Sequence, residues 1–67
     1  MDKKELTRYI KFYDGNQENL AKAMNLSRSR LNAKMNGRYG AEFTKSEIVF
    51  IVDRYHLTQE AAEKIFG

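Results

Sequence analysis

A chain of 67 residues with a formal charge of +3 is one small domain, too short for a large enclosed core. Its lack of cysteine excludes disulfides and thiolate zinc sites, and no apolar run approaches the ~20 residues of a membrane span. No signal peptide is legible, and the absence of proline predicts helices joined by short turns, in a core marginal enough that a dimer would help.

Residues 2–13 predict a first helix. Asp2 can cap it, and Glu5 follows three residues later in a capping-box arrangement. Leu6, Tyr9, Ile10 and Tyr13 repeat at i, i+3, i+4 and i+7 and make a buried stripe, with Phe12 at its edge. Lys3, Lys4, Arg8 and Lys11 lie off that stripe. Aromatic side chains at this spacing read as core, not as a platform for stacking bases. Asp14-Gly15 is a stop and turn signal.

Gln17 to Met24 predicts a second helix capped by Asn16, with Gln17, Leu20, Ala21 and Met24 on helical spacing. Asn25 stands where the chain must turn sharply, and asparagine tolerates a left-handed backbone. Leu26 then points inward and Ser27 caps a third helix, Arg28 to Asn36. Leu31, Met35 and Ala33 are its apolar positions, so Arg28, Ser29, Arg30, Asn32, Lys34 and Asn36 are expected to face out. Between Asn19 and Ala41 the charged residues are Lys22, Arg28, Arg30, Lys34 and Arg38, all basic; against a total of +3, the remainder of the chain carries −2. So one-sided a distribution is the electrostatic footprint of a polyanion site.

Gly37-Arg38-Tyr39-Gly40 is a loop with a cation and an aromatic at its tip. A fourth helix over Phe43 to Tyr55 has the clearest start: Thr44 as cap, Glu47 three residues on, and Phe43 with Ile48 as a hydrophobic staple. Ile48, Ile51, Val52 and Tyr55 make its buried face, with Val49 beside it. The run Ile48 to Val52 also suits a strand, but the cap and the helical neighbours decide for helix. His56-Leu57 is a turn, and Thr58 caps a fifth helix from Gln59 to about Ile65, with Ala61, Ala62, Ile65 and Phe66 apolar. His56 is the lone histidine and reads as a turn residue, not a metal ligand. Without a paired nucleophile and base, a metal set or a phosphate-cradling glycine loop, neither an enzyme nor a cofactor is expected. Tyr55, Leu57, Ile65 and Phe66 offer more apolar surface than the last two helices need internally, and predict a dimer surface.

The stretch Gln17 to Gly37 resembles the helix-turn-helix of the Cro/phage-repressor family. Gln17 opening the first helix, Leu20-Ala21 within it, Leu26-Ser27 at the turn, Leu31, and the closing Asn36-Gly37 carry the resemblance. Ala21 is the small residue that lets two helices cross closely. Asn25 departs from the commoner glycine but can adopt the same backbone. The resemblance implies an all-α, five-helix, lambda-repressor-like DNA-binding domain over residues 1–67, with the motif (17–36) as its second and third helices.

It also implies a function. The expected protein is a sequence-specific double-stranded DNA-binding regulator, a Cro-like repressor of a bacteriophage lytic–lysogenic switch, acting on operator DNA in the bacterial cytoplasm. The third helix would enter the major groove. Arg28, Ser29 and Asn32 match base-contacting positions; arginine can donate twice to guanine O6 and N7, and asparagine can pair with adenine N6 and N7. Ala33 could meet a thymine methyl. Gln17 matches a residue that grips a phosphate and braces the first recognition residue, and Asn36 a phosphate-binding position. Arg30 and Lys34 leave the helix on its flanks, where phosphates run. Arg38 and Tyr39 could each reach a phosphate from the loop, although Tyr39 reads better as packed on the core. Family members usually act as homodimers on palindromes. The end at Gly67 favours a Cro-like protein and is also consistent with the N-terminal piece of a longer repressor. The alternative is a modulator or antirepressor that binds a cognate repressor protein; a basic third helix with few apolar anchors argues against it.

Overall fold

Every helix of this chain starts on a side chain that accepts a hydrogen bond from a free backbone N–H of its first turn. In the computed structural model, which describes residues 1–67, the helices are α1 (Lys3–Tyr13), α2 (Gln17–Ala23), α3 (Arg28–Asn36), α4 (Lys45–Tyr55) and α5 (Gln59–Phe66), and there is no strand. Their caps are Asp2, Asn16, Ser27, Thr44 and Thr58, each accepting from the amide three residues on. Each such cap contributes about 1 kcal/mol, which matters for helices of two or three turns.

At Thr44 the capping box is complete: Glu47 Oε1 accepts from the Thr44 amide at 2.8 Å. That local start holds Ile48 to Val52 in α4 in spite of their strand propensity. At Asp2 only half of the expected box forms. The Asp2 amide donates instead to the Ile65 carbonyl at 2.8 Å, tying the start of α1 to α5. Glu5 turns to Arg8 at 3.2 Å and Lys64 at 3.8 Å.

Two of the turns rest on non-glycine residues with left-handed backbones, Asn25 (φ 59°) between α2 and α3 and His56 (φ 52°) at the end of α4. The core takes Leu6 and Ile10 from α1, Leu20 and Ala21 from α2, Leu31 and Met35 from α3, Ile51 and Tyr55 from α4, then Leu57 and Ile65. Ala21, almost fully buried, belongs to the helix pair α2–α3, the most extensively packed in the molecule.

Two expectations about apolar side chains are corrected. The stripe on α1 ends early: Tyr13 stacks on Tyr55 with ring centroids 5.2 Å apart but keeps its other side in solvent, and Phe12 is 81% exposed. The expected dimer surface is mostly interior. Tyr55 and Ile65 are fully buried and Leu57 nearly so, while Phe66 packs edge-on against Phe43 with centroids 5.8 Å apart. The reason is that α5 folds back onto α1, so the apolar side chains of the C-terminal third are consumed within one chain.

Asp14 joins α1 to α4. Its carboxylate accepts from Arg54 Nη2 at 2.6 Å and Nε at 3.1 Å, and from the Tyr55 hydroxyl at 2.5 Å. The Arg54 hydrogen bond holds the Asp14 carboxyl below its ordinary range, against the opposing effect of burial and with help from Tyr55. Burial, then Asp14, pushes the Tyr55 hydroxyl well up. No helix is long and apolar enough to cross a membrane.

Candidate nucleic-acid interface

α3 is anchored by a narrow apolar row. Leu31 and Met35, four residues apart and therefore on one side of the helix, are buried, and the opposite side is left to polar residues. Arg28, Asn32 and Asn36 form one row at i, i+4 and i+8, with Ser29 and Ala33 beside it. Gly37 (φ 64°) ends the helix in the left-handed conformation and sends the chain into the turn Arg38–Gly40.

That turn folds the loop back beside the helix. Arg28, Ser29, Asn32, Ala33, Arg38 and Tyr39 together line a shallow open depression of about 320 Å³. All three residues expected to read bases are thus brought together, with Arg38 facing them from the loop. Arg30 is exposed on the other flank of α3, and Gln17 stands half-buried at the first turn of α2; neither lines the depression.

Lys34 does not occupy the position expected of it. Its ammonium lies 2.9 Å from Glu47 Oε1 and 3.3 Å from the Glu42 carbonyl, with the side chain 13% exposed. Because α4 starts beside the last turn of α3, the lysine nearest that junction is drawn into the α4 capping box. Burial pushes the Glu47 carboxyl up, but the bonds from Lys34 and Thr44 outweigh it and leave the group below its ordinary range.

Asn36 is exposed, but its side chain is bonded to neighbours within the chain. Its Nδ2 donates to the Asn32 carbonyl at 2.8 Å and to Asn32 Oδ1 at 3.1 Å, while its Oδ1 accepts from Lys3 Nζ at 2.7 Å. This chain of bonds holds the Asn32 carboxamide with its Nδ2 free to donate and one Oδ1 lone pair free to accept. It also brings a lysine of α1 to the end of α3, a residue that helical spacing on α1 gives no reason to associate with this surface.

Tyr39 is fully exposed, not packed on the core, and its backbone is left-handed at φ 55°. For a tyrosine that conformation costs about 1–2 kcal/mol. The flanking glycines mark the turn in the sequence, but only the folded chain shows that its tip stays clear of the core. Arg28, Arg30 and Arg38 have no carboxylate within 4 Å, the five ion pairs lying elsewhere. The exposed pair Lys22–Glu18, 3.7 Å apart, offsets the one other cation on α2.

No protein-family model matches the chain, and neither a curated protein nor a solved structure does.

Proposed function

We propose that α2, the turn through Asn25 and α3 act as a helix-turn-helix, and that the protein is a sequence-specific regulator binding double-stranded DNA. The observation that carries this reading is the convergence of Arg28, Ser29 and Asn32 with Arg38 and Tyr39 on one open surface that contains no acid. An arginine without a carboxylate partner keeps its donor fork free for a guanine edge, and a carboxamide held by its neighbour is ready to meet adenine. α3 then lies in the major groove, with Arg30 on one flank and Arg38 on the other toward phosphates. Gln17 at the start of α2 reaches the same backbone.

The resemblance to Cro-like phage repressors supports the same conclusion, with operator DNA as partner and transcription as the process controlled. A short α3 reads only a few base pairs, so two copies on a palindrome, with half-sites ~10 bp apart, complete the recognition. Selection of bound sites from random duplexes tests the reading. The expected result is a two-fold symmetric motif with that spacing. Recovery of unselected sequence at every salt concentration would remove it.

A second reading rests on Tyr39. A fully exposed aromatic at a loop tip is also a suitable anchor for a protein partner, as a modulator of another repressor would need. Under that reading Tyr39→Ala abolishes capture of the partner while Arg28→Ala does not.

A further inference from the structure

The geometry points to a second phosphate-binding face on α1, continuous with the α3 surface and reached by the same duplex; the inference rests on the DNA-binding reading above. Lys4, Arg8 and Lys11 run along the side of α1 turned away from Leu6 and Ile10, Lys3 lies on the flank toward α3, and with Thr7 the four line a shallow surface of about 420 Å³. From Lys3 to Lys11 the helix rises about 12 Å, the axial length of about three nucleotides on one strand.

Three observations separate this stripe from an ordinary solvated face. First, its charge is largely uncompensated. Only Arg8 has a carboxylate, Glu5 at 3.2 Å, and that glutamate also neighbours Lys64 at 3.8 Å; Lys3, Lys4 and Lys11 have none within 4 Å. Second, the spacing is unfavourable for the helix alone. Lys4 and Arg8 at i, i+4, and Arg8 and Lys11 at i, i+3, repel one another until an anion screens them. Third, the stripe begins at the proposed recognition surface. Lys3 Nζ donates to Asn36 Oδ1 at 2.7 Å, and Asn36 in turn holds Asn32. Asn36 is a neutral amide and brings no opposing charge, so a cation stands where α1 meets the end of α3.

The stripe offers lipid a single apolar side chain, Phe12 at its C-terminal end, since Leu6 and Ile10 are in the core, and one ring does not make the apolar face of an interfacial helix. A nucleic-acid backbone therefore fits better than a membrane surface. On the duplex, α1 follows one strand outward from the groove that α3 occupies. It adds affinity and salt dependence but no sequence preference.

The experiment measures binding of a duplex of random sequence by fluorescence anisotropy across a salt series, for the intact protein, for Lys4→Gln/Lys11→Gln, and for Lys64→Gln as a charge control on α5. Each phosphate contact adds about 0.9 to the magnitude of the slope of log K against log salt. The double variant is expected to lose about 1.8 of that slope. The base preference found by site selection should stay that of the parent. Lys64→Gln should keep the parental slope. A double variant with the parental slope, or an equal loss in Lys64→Gln, would overturn the α1 face while leaving α3 as the DNA surface. Absence of any duplex binding by the parent would overturn both. Loss of binding to anionic phosphatidylserine vesicles in the double variant, with the duplex slope intact, would assign the stripe to a lipid surface instead.

Discussion

Lys34 of α3 and Glu47 of α4 stand 2.9 Å apart, and the same Glu47 oxygen accepts from the Thr44 amide. One carboxylate thus closes the capping box of α4 and fixes its start against the last turn of α3. Lys34→Ala leaves that carboxylate largely buried without its cation, and is expected to lower stability by about 1–3 kcal/mol. Urea denaturation measures this. Because Lys34 is spent inside the protein, the salt dependence of duplex binding should stay at the parental slope. A slope lowered by about one would return Lys34 to the phosphate backbone.

Arg28→Ala probes the proposed base reading. Removal of a bidentate arginine should cost about 1–3 kcal/mol at one position of the preferred site and relax preference there. Competition binding with a panel of single-base variants resolves the two effects. A loss uniform across the panel would place Arg28 on the backbone.

Asn36→Ala separates positioning from contact. The Asn36 amide holds Asn32, so its removal should broaden base preference at the position proposed for Asn32, with the salt slope unchanged. A loss of slope with preference intact would instead mark Asn36 as a phosphate ligand.

Acid should unfold the protein through Asp14 and Glu47. Both carboxyls lie below their ordinary values of 3.8 and 4.5 in the folded state, so each binds its proton more readily in the unfolded chain. Their stabilisation is complete above those values and is lost as pH falls through the lower, folded ones. Asp14→Asn should therefore be less stable than the parent at pH 7 and should lose less on acidification below about pH 4. Thermal melts at a series of pH values give the comparison. Parallel curves for the two proteins would exclude the Arg54–Asp14 pair as a source of acid sensitivity.

Tyr39→Gly should act in opposite directions on stability and binding. Glycine relieves the left-handed strain of a tyrosine but gains freedom in the unfolded chain, for a net stabilisation of up to about 1 kcal/mol. Duplex affinity should fall, because the exposed ring beside Arg38 is gone. A variant that is both less stable and unchanged in affinity would contradict this account of the loop.

Local signals carried far in this chain. The caps at Asp2, Asn16, Ser27, Thr44 and Thr58 are short-range chemistry, and they placed all five helices within a residue or two. Asn25 announced a left-handed turn because few side chains accept one. What the sequence could not disclose depends on which helix meets which. Tyr55, Leu57 and Ile65 look alike whether they pack on α1 or on a second chain, since an amphipathic pattern marks a face and not its occupant. The direction of Lys34 depends on Glu47, thirteen residues away, and the place of Lys3 on Asn36, thirty-three residues away. The proposed reading residues Arg28, Ser29 and Asn32 were legible as a row on one helix. Their shared surface with Arg38 and Tyr39 was not, because it depends on the fold of the Gly37–Gly40 turn.

The bond from the Asp2 amide to the Ile65 carbonyl closes the domain into a ring, with the first helix resting on the last. Fraying at either end then strips support from the other. The two termini are therefore expected to open together, in a body with little reserve in the size of its interior.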